Sequence, residues 1–405
     1  MKKFLYIVTT VVLTLVISLA GFSWYSGTGI RVTDGRYLGY SKSTDEWLFI
    51  EYQNKLVKHD GPYVFVDSNK PLALRVASTE QSINSVTKLP VHGELLVTVD
   101  NKSQTQFKVP LRHSYPRSKL NYSTTENVLA ISDLEGNFDA TVNLLVANGV
   151  INDSLDWSFG KGHLVLIGDM VDRGTNVVPT LWLLYKLEAE AKKAGGRLHY
   201  VLGNHERYLL DGRTKSVAKK YFGTYRATSM TQRQLWSDET VLGRWLRSKP
   251  VVLKINDILY VHGGISPEVL SKKPTLEFID NLAKDSFVTT GTIIKNIEGD
   301  ILHSSKGLLF YRGLAKDMSH YGLGKKATES HVERLLKVYD AKKIAIGHTL
   351  TKHIGFDFNE KVIRVDVNHA EGESEALLIE NHSIFRVGLK GQKLPLIQIE
   401  SSESS

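Results

Sequence analysis

Five apolar stretches of this chain run out on side chains that bind metal ions or phosphate. VLAI (128–131) leads to Asp133 and Glu135, and HLVLIG (163–168) leads to Asp169, Asp172 and Arg173. LHYVLG (198–203) leads to Asn204 and His205, ILYV (258–261) to His262, and KIAIG (343–347) to His348. In the last four a glycine stands directly beside the first of these polar residues, where a backbone without Cβ lets a bound ion or phosphate come close. Carboxylate, amide and imidazole donors suit manganese, iron or zinc. The chain has no cysteine, which removes thiolate ligands, disulfides and cysteine nucleophiles together. GNH alone reads equally well as a turn, and a lone strand-end histidine as a structural residue. Repeated in this order, the device describes a metal site.

Buried strands that stop at ligand-bearing loops are how open α/β sheets build sites at their carboxyl ends. The pattern predicts strands alternating with helices over residues 119–390, followed by a polar tail at 391–405. Upstream, EWLFIEY, PYVFV, LALRVA and ELLVTVD are short, two-periodic and separated by turn residues, so 27–118 reads as a small all-β module. It carries no catalytic constellation and reads as a spacer or packing partner. The junction SYPRSKLNYSTTEN is polar. A chain of 405 residues accommodates two such domains. Its net charge of +8 favours anionic partners, but the charge is dispersed, so nucleic acid is not expected.

At the N-terminus, Lys2 and Lys3 precede Phe4–Gly21, a run without charge. It exceeds the roughly 7–15 apolar residues of a signal-peptide core and reaches the roughly 17–25 of a membrane span. Trp24 and Tyr25 fit an interfacial anchor, whereas Ser18-Leu19-Ala20 resembles a cleavage site. Residues 1–26 are thus a membrane anchor or a signal peptide. Both readings export the remainder, anchored to the inner membrane facing outward or free in the periplasm.

GDMVDRG, GNHE and VHGG resemble motifs of the calcineurin-like metallophosphoesterases, in the phosphoprotein phosphatase branch. FYRG (310–313), GRWLRSKPVV (243–252) and a GHT without a second adjacent histidine resemble the Shewanella-like phosphatases in particular. The resemblance covers about residues 125–390. It implies an α/β (α+β) fold, a two-sheet β-sandwich flanked by helices, with a dinuclear site at the sheet edge. By the same resemblance Asp133 binds the first metal, Asp169 bridges, and Asn204, His262 and His348 complete the second. His205 with Asp172 forms an acid pair, and Arg173 with Arg312 grips phosphate. The chemistry agrees: two divalent ions (manganese ahead of iron or zinc) activate a hydroxide, and forked guanidinium donors match phosphoryl oxygens. The bland reading of Arg312 is a structural ion pair.

Glu135 breaks the pattern, because the resembled family carries histidine there. As a ligand it adds a negative charge and shifts preference to harder ions such as Mn²⁺ or Mg²⁺. Otherwise it caps the helix expected at 137–151. The insert at 207–250 interleaves Lys215, Lys219, Lys220, Arg226, Arg233, Arg244 and Arg247 with Tyr221, Phe222, Tyr225 and Trp236. It reads as a phosphoester-receiving lid or as a solvated surface over a buried aromatic stripe. His199, His353, His369 and His382 read as structural. The resemblance thus implies a metal-dependent phosphomonoesterase acting on phosphorylated proteins, with some lean to phosphotyrosine. The alternatives are a hydrolase of small phosphoesters such as nucleotide or diadenosine phosphates, and a weakly active phosphate-binding surface protein. For export, an alkaline phosphatase fused after residue 30 is expected to be active in the periplasm. Activity only of a cytoplasmic reporter at that position would overturn the orientation.

Overall fold

The computed structural model describes residues 2–26, 29–31, 36–41, 46–51, 57–67, 70–78, 84–288 and 299–399. Two sheets face each other. In the first, the strands run Arg197–Val201, His163–Ile167, Val128–Ile131, Glu375–Glu380, Ser383–Gly388 and Lys393–Pro395. The second runs Ile397–Gln398, Gly355–Asp357, Val362–Arg364, Lys343–Ile346, Ile258–Val261, Val252–Ile255 and Asn121–Tyr122. The ligand-bearing strands are parallel within each sheet, so their carboxyl ends share one edge. Their unbroken apolar runs follow from burial on both faces. Val128, Ala130, Val165, Ile167 and Val201 meet Leu253, Tyr260, Ala345 and Ile363 between the sheets. Leu129, Ile131, Leu164 and Leu166 turn the other way, into the core shared with the helices. This is the two-sheet, helix-flanked sandwich that the resemblance implied.

Two boundaries differ from the sequence reading. The helix expected at 137–151 spans Phe138–Ala147. The tail expected from residue 391 instead adds an edge strand to each sheet, and Ile399 N donates to Phe356 O at 2.8 Å. The apolar residues Leu394, Leu396, Ile397 and Ile399 in this stretch are the sequence signal for these strands. The terminal SSESS lies outside the described residues.

The β-rich region forms a three-stranded meander (29–51), a second one (59–90) and a hairpin (94–110). From Val57 to Val109 its apolar residues join the same core as the catalytic helices. Trp182 Nε1 donates to Pro62 O at 2.9 Å, Val66 N to Glu239 O at 2.8 Å, and Phe107 stacks on Phe138. The insert supplies much of this seam. Thr224 Oγ1 donates to the buried Asp60 at 2.5 Å, Lys220 Nζ to His59 O at 3.0 Å, and Tyr63 meets Trp236 edge-on. Tyr221, Tyr225 and Trp236 are buried, so this stripe is core and does not form a lid.

The segment read as an anchor or signal is one helix, Lys2–Ser26, whose first side chains lie outside the described residues. Among the described residues no helix is long and apolar enough to cross a membrane.

A shared core predicts shared unfolding. Trp182→Phe, which removes the bond to Pro62, is expected to cost about 1–3 kcal/mol and to keep a single calorimetric transition. Two separate transitions in the wild type would show that the module folds on its own.

Candidate metal centre

At the carboxyl edge, the chain leaves its strands through backbone conformations that side chains seldom adopt. Asp133, Glu135, Asp169, Asp172, Arg173 and His348 have φ of 54°, 50°, 56°, 69°, 51° and 63°. Left-handed residues of this kind cost roughly 1–3 kcal/mol each and collect where a site demands them. Here they turn the side chains back over the sheet edge.

The two sheets are stitched together at this point. His262 Nδ1 donates to Ile167 O at 2.8 Å, which directs Nε2 inward to Asn204 Oδ1 at 3.0 Å and Asp169 Oδ2 at 3.1 Å. The His348 ring lies 4.9 Å from that of His262. Donor atoms of Asp169, His262 and His348 all lie within 4.8 Å of one another, and all three residues are buried. Asp133 stands beside this cluster, its Oδ2 receiving His348 N at 3.1 Å and the Ser132 hydroxyl. Gly347 allows that closeness, since a Cβ there would strike Ser132 Oγ and Asp133 Oδ2.

His205 extends the cluster toward the opening. Its Nδ1 lies 2.8 Å from Asp172 Oδ2, its Nε2 3.8 Å from Asp169 Oδ2, and its backbone N donates to Asp169 Oδ1. Burial alone would disfavour the imidazolium, but Asp169 and Asp172 outweigh it and raise the His205 pKa. Burial likewise pushes Asp133 up to about 6, helped by neighbouring Asp169, and pushes Asp366 well above the carboxylate range. Asp169 goes the other way despite burial, because His262 and His205 hold it ionised. A buried set this rich in carboxylates is relieved by added positive charge, and its oxygen and imidazole donors fit divalent ions.

Arg312 Nη1 donates to the His348 carbonyl and to Thr349 Oγ1 at 3.2 Å, a hydrogen-bonded post in place of the structural ion pair weighed above. With Arg173 and Lys316 it lines a cleft of about 370 Å³ that also contains Asp133, Glu135, Asp169, His205 and His348. Glu135 reaches that cleft, but its Oε1 pairs with Arg173 Nη1. Glu135 is thus an ion-pair partner of Arg173 that stays in the same cleft as Asp133 and Asp169. The arginine presented by the neighbouring loop takes its charge, and the following helix begins without a side-chain cap.

Sequence reasoning passed over Glu206 and Asp366. Glu206 is fully buried and accepts from Asp169 N (2.9 Å), Met170 N (2.8 Å), Gly203 N (2.7 Å) and Tyr200 Oη (2.8 Å). Asp366 lines the cleft just past the strand Val362–Arg364, so the strand-end criterion applied to the other candidate residues also points to it. His199 bonds His163, His353 bonds Glu375, and His369 bonds the Ser132 carbonyl, all structural contacts. No described contact involves His382.

Residues 126–352 match the calcineurin-like phosphoesterase family model, and the chain belongs to that family. It is a metal-dependent phosphoesterase. Shewanella-like protein phosphatase 1 of Plasmodium berghei is 26% identical over 307 residues, covering 72% of this chain and 83% of that one. The crystal structure of a cold-active protein-tyrosine phosphatase from a psychrophilic Shewanella superposes with a TM-score of 0.75 at 29% identity. It covers 84% of this chain and 100% of that one. The symmetrical bis(5'-nucleosyl)-tetraphosphatase of Shewanella loihica is 31% identical over 166 residues, 39% of this chain and 53% of that one.

Three substitutions separate the roles. Asp169→Asn is expected to lose bound metal together with turnover. His205→Asn should keep its metal and lose about 10²–10⁴ in rate, less for aryl phosphates. Glu135→Ala should keep its metal count and lower KM by freeing Arg173. Elemental analysis of the purified variants reads the first two outcomes, and loss of one ion in Glu135→Ala would restore Glu135 as a ligand.

Proposed function

We propose that this protein is a phosphomonoesterase of phosphorylated proteins, phosphotyrosine included, that works with two divalent ions, manganese foremost. The observation that carries this reading is the His205–Asp172 pair, 2.8 Å apart, whose histidine lines a cleft together with Arg173, Arg312 and Lys316. Asp169, Asn204, His262 and His348 would hold one ion, and Asp133 with Asp169 the other. Bound there, the ions supply Lewis-acid charge for the phosphoryl oxygens and acidify water.

The protein's own groups do the rest. Arg312, held in place by the His348 carbonyl and Thr349, presents its remaining N–H donors to the phosphate. Arg173 does so once the incoming phosphate displaces Glu135. The His205 proton, stabilised by Asp172 and Asp169, is delivered from Nε2 to the departing oxygen. Leu350 lines the cleft, whereas His353 is tied to Glu375 at 2.9 Å and does not line it. That leaves room for a monoester without a second histidine in the last motif. The likeness to the protein-tyrosine phosphatase, spanning all of that chain, supports a phosphoprotein substrate. The likeness to a tetraphosphatase supports a second reading, hydrolysis of dinucleoside polyphosphates.

We also propose export by the segment Lys2–Gly21, on the strength of its lysine flank and uncharged run.

With Mn²⁺, p-nitrophenyl phosphate should be hydrolysed, and phosphotyrosyl peptides should exceed diadenosine tetraphosphate in kcat/KM by at least about tenfold, a difference of about 1.4 kcal/mol. The reverse order would establish the second reading. No turnover of any ester, with phosphate still bound, would identify a binding protein.

A further inference from the structure

A second cleft, of about 650 Å³, lies at the opposite end of the first sheet, beside the start of the strand Arg197–Val201. One wall is the polar junction, from Arg112 to Ser123. The other is the end of the helix Val177–Lys193 and the strand that follows it. Six cationic side chains, Arg112, Arg117, Lys119, Lys192, Arg197 and Lys249, line it against one carboxylate, Glu188.

That carboxylate is already saturated. Glu188 Oε2 accepts from Arg112 Nη1 at 2.8 Å and from Trp245 Nε1 at 2.8 Å, and Oε1 accepts from Lys249 Nζ. Two cations therefore share one anion, and the Lys249 side chain is only 4% exposed. Arg112 Nε is buried without a hydrogen-bond partner. Burial pushes the Lys249 ammonium down to about 8 even with Glu188 beside it. A buried excess of positive charge is costly unless an anion completes it. Nearer the rim, no ion pair joins Lys119, Lys192 or Arg197 to a carboxylate among the described residues, while Ser114, Ser118 and Ser123 add hydroxyls.

We propose that this cleft binds an acidic stretch of polypeptide, with carboxylates ranged along Lys119, Lys192 and Arg197 and one reaching the Arg112–Lys249 floor. A two-walled trough fits an extended chain better than the plane of a bilayer. The strand between the two sites places them on the order of 15 Å apart through the sheet. About ten extended residues, reaching roughly 33–36 Å, can travel around the surface between them. The cleft would thus hold the acidic flank of a phosphoprotein whose phosphate enters the metal centre, a use that rests on the phosphoprotein reading above.

The test is fluorescence anisotropy with fluorescein-labelled hexaglutamate on the full chain, with wild type, Lys119→Glu/Lys192→Glu/Arg197→Glu and the milder Lys119→Gln/Lys192→Gln. Binding by the wild type that weakens with salt, falls at least about tenfold in the triple variant and falls less in the double is expected. Turnover of p-nitrophenyl phosphate should stay unchanged in both variants, which also reports their folding. An acidic ten-residue flank on a phosphopeptide should lower KM for the wild type and not for the triple variant. No binding by the wild type, equal binding by all three proteins, or binding only to phosphatidylglycerol vesicles would overturn the proposal. Hexaglutamate binding that needs these cations, in a protein that hydrolyses only nucleotides, would support the cleft and defeat the phosphoprotein reading instead.

Discussion

The carboxylate of Glu206 takes hydrogens from Asp169 N, Met170 N, Gly203 N and Tyr200 Oη, with no exposure to water. Two of those donors lie on the loop that carries Asp169, Asp172 and Arg173, and the other two on the strand Arg197–Val201 and the Gly203 turn that lead to Asn204 and His205. A carboxyl group so deeply buried is tolerated only when its oxygens are fully hydrogen-bonded. Here the penalty becomes a constraint. If either loop shifts, the carboxylate loses partners, so the loops stay in one relative position. Asp169, His205 and Asp172 then meet without any mobile element having to bring them together.

The left-handed backbone at the strand ends belongs to the same design. Six such residues in one loop cluster represent strain that their surroundings must hold in place. The sheets around them do so. Strands buried on both faces, with their hydrogen-bond ladders complete, hold the loop ends in place. The His262–Ile167 bond then ties one sheet to the other beside these loops. The site is rigid because the sandwich is.

Much of this was legible in the sequence, because a strand buried on both faces writes a continuous apolar run and its final polar residue stands out. Asp133, Asp169, Asn204, His262 and His348 announced themselves in that way. Asp366 obeys the same rule and was missed only because its strand is short. Glu206 was quoted within its motif, yet its task depends on which loop folds against it, and that is tertiary information. Glu135 shows the sharper limit. Its identity flagged a departure, but the direction of its carboxylate is decided by Arg173, brought close by a neighbouring loop. The insert's aromatics were similarly ambiguous, since a stripe that looks like a lid becomes core once a β module lies on it.

The module's attachment reaches further than packing. Asp100 N donates to Asn176 Oδ1, and Asn176 Nδ2 returns a bond to Asp100 O, both at 3.2 Å. Asn176 opens the helix Val177–Lys193, three residues after Arg173. The module thus grips the far end of the loop that carries Arg173, the arginine proposed to bind phosphate. A fragment trimmed to the phosphoesterase region would leave that helix start unclamped and expose the face of Trp182 and Phe138. What looks in the sequence like a dispensable preface is, in the folded molecule, part of the arginine's mounting.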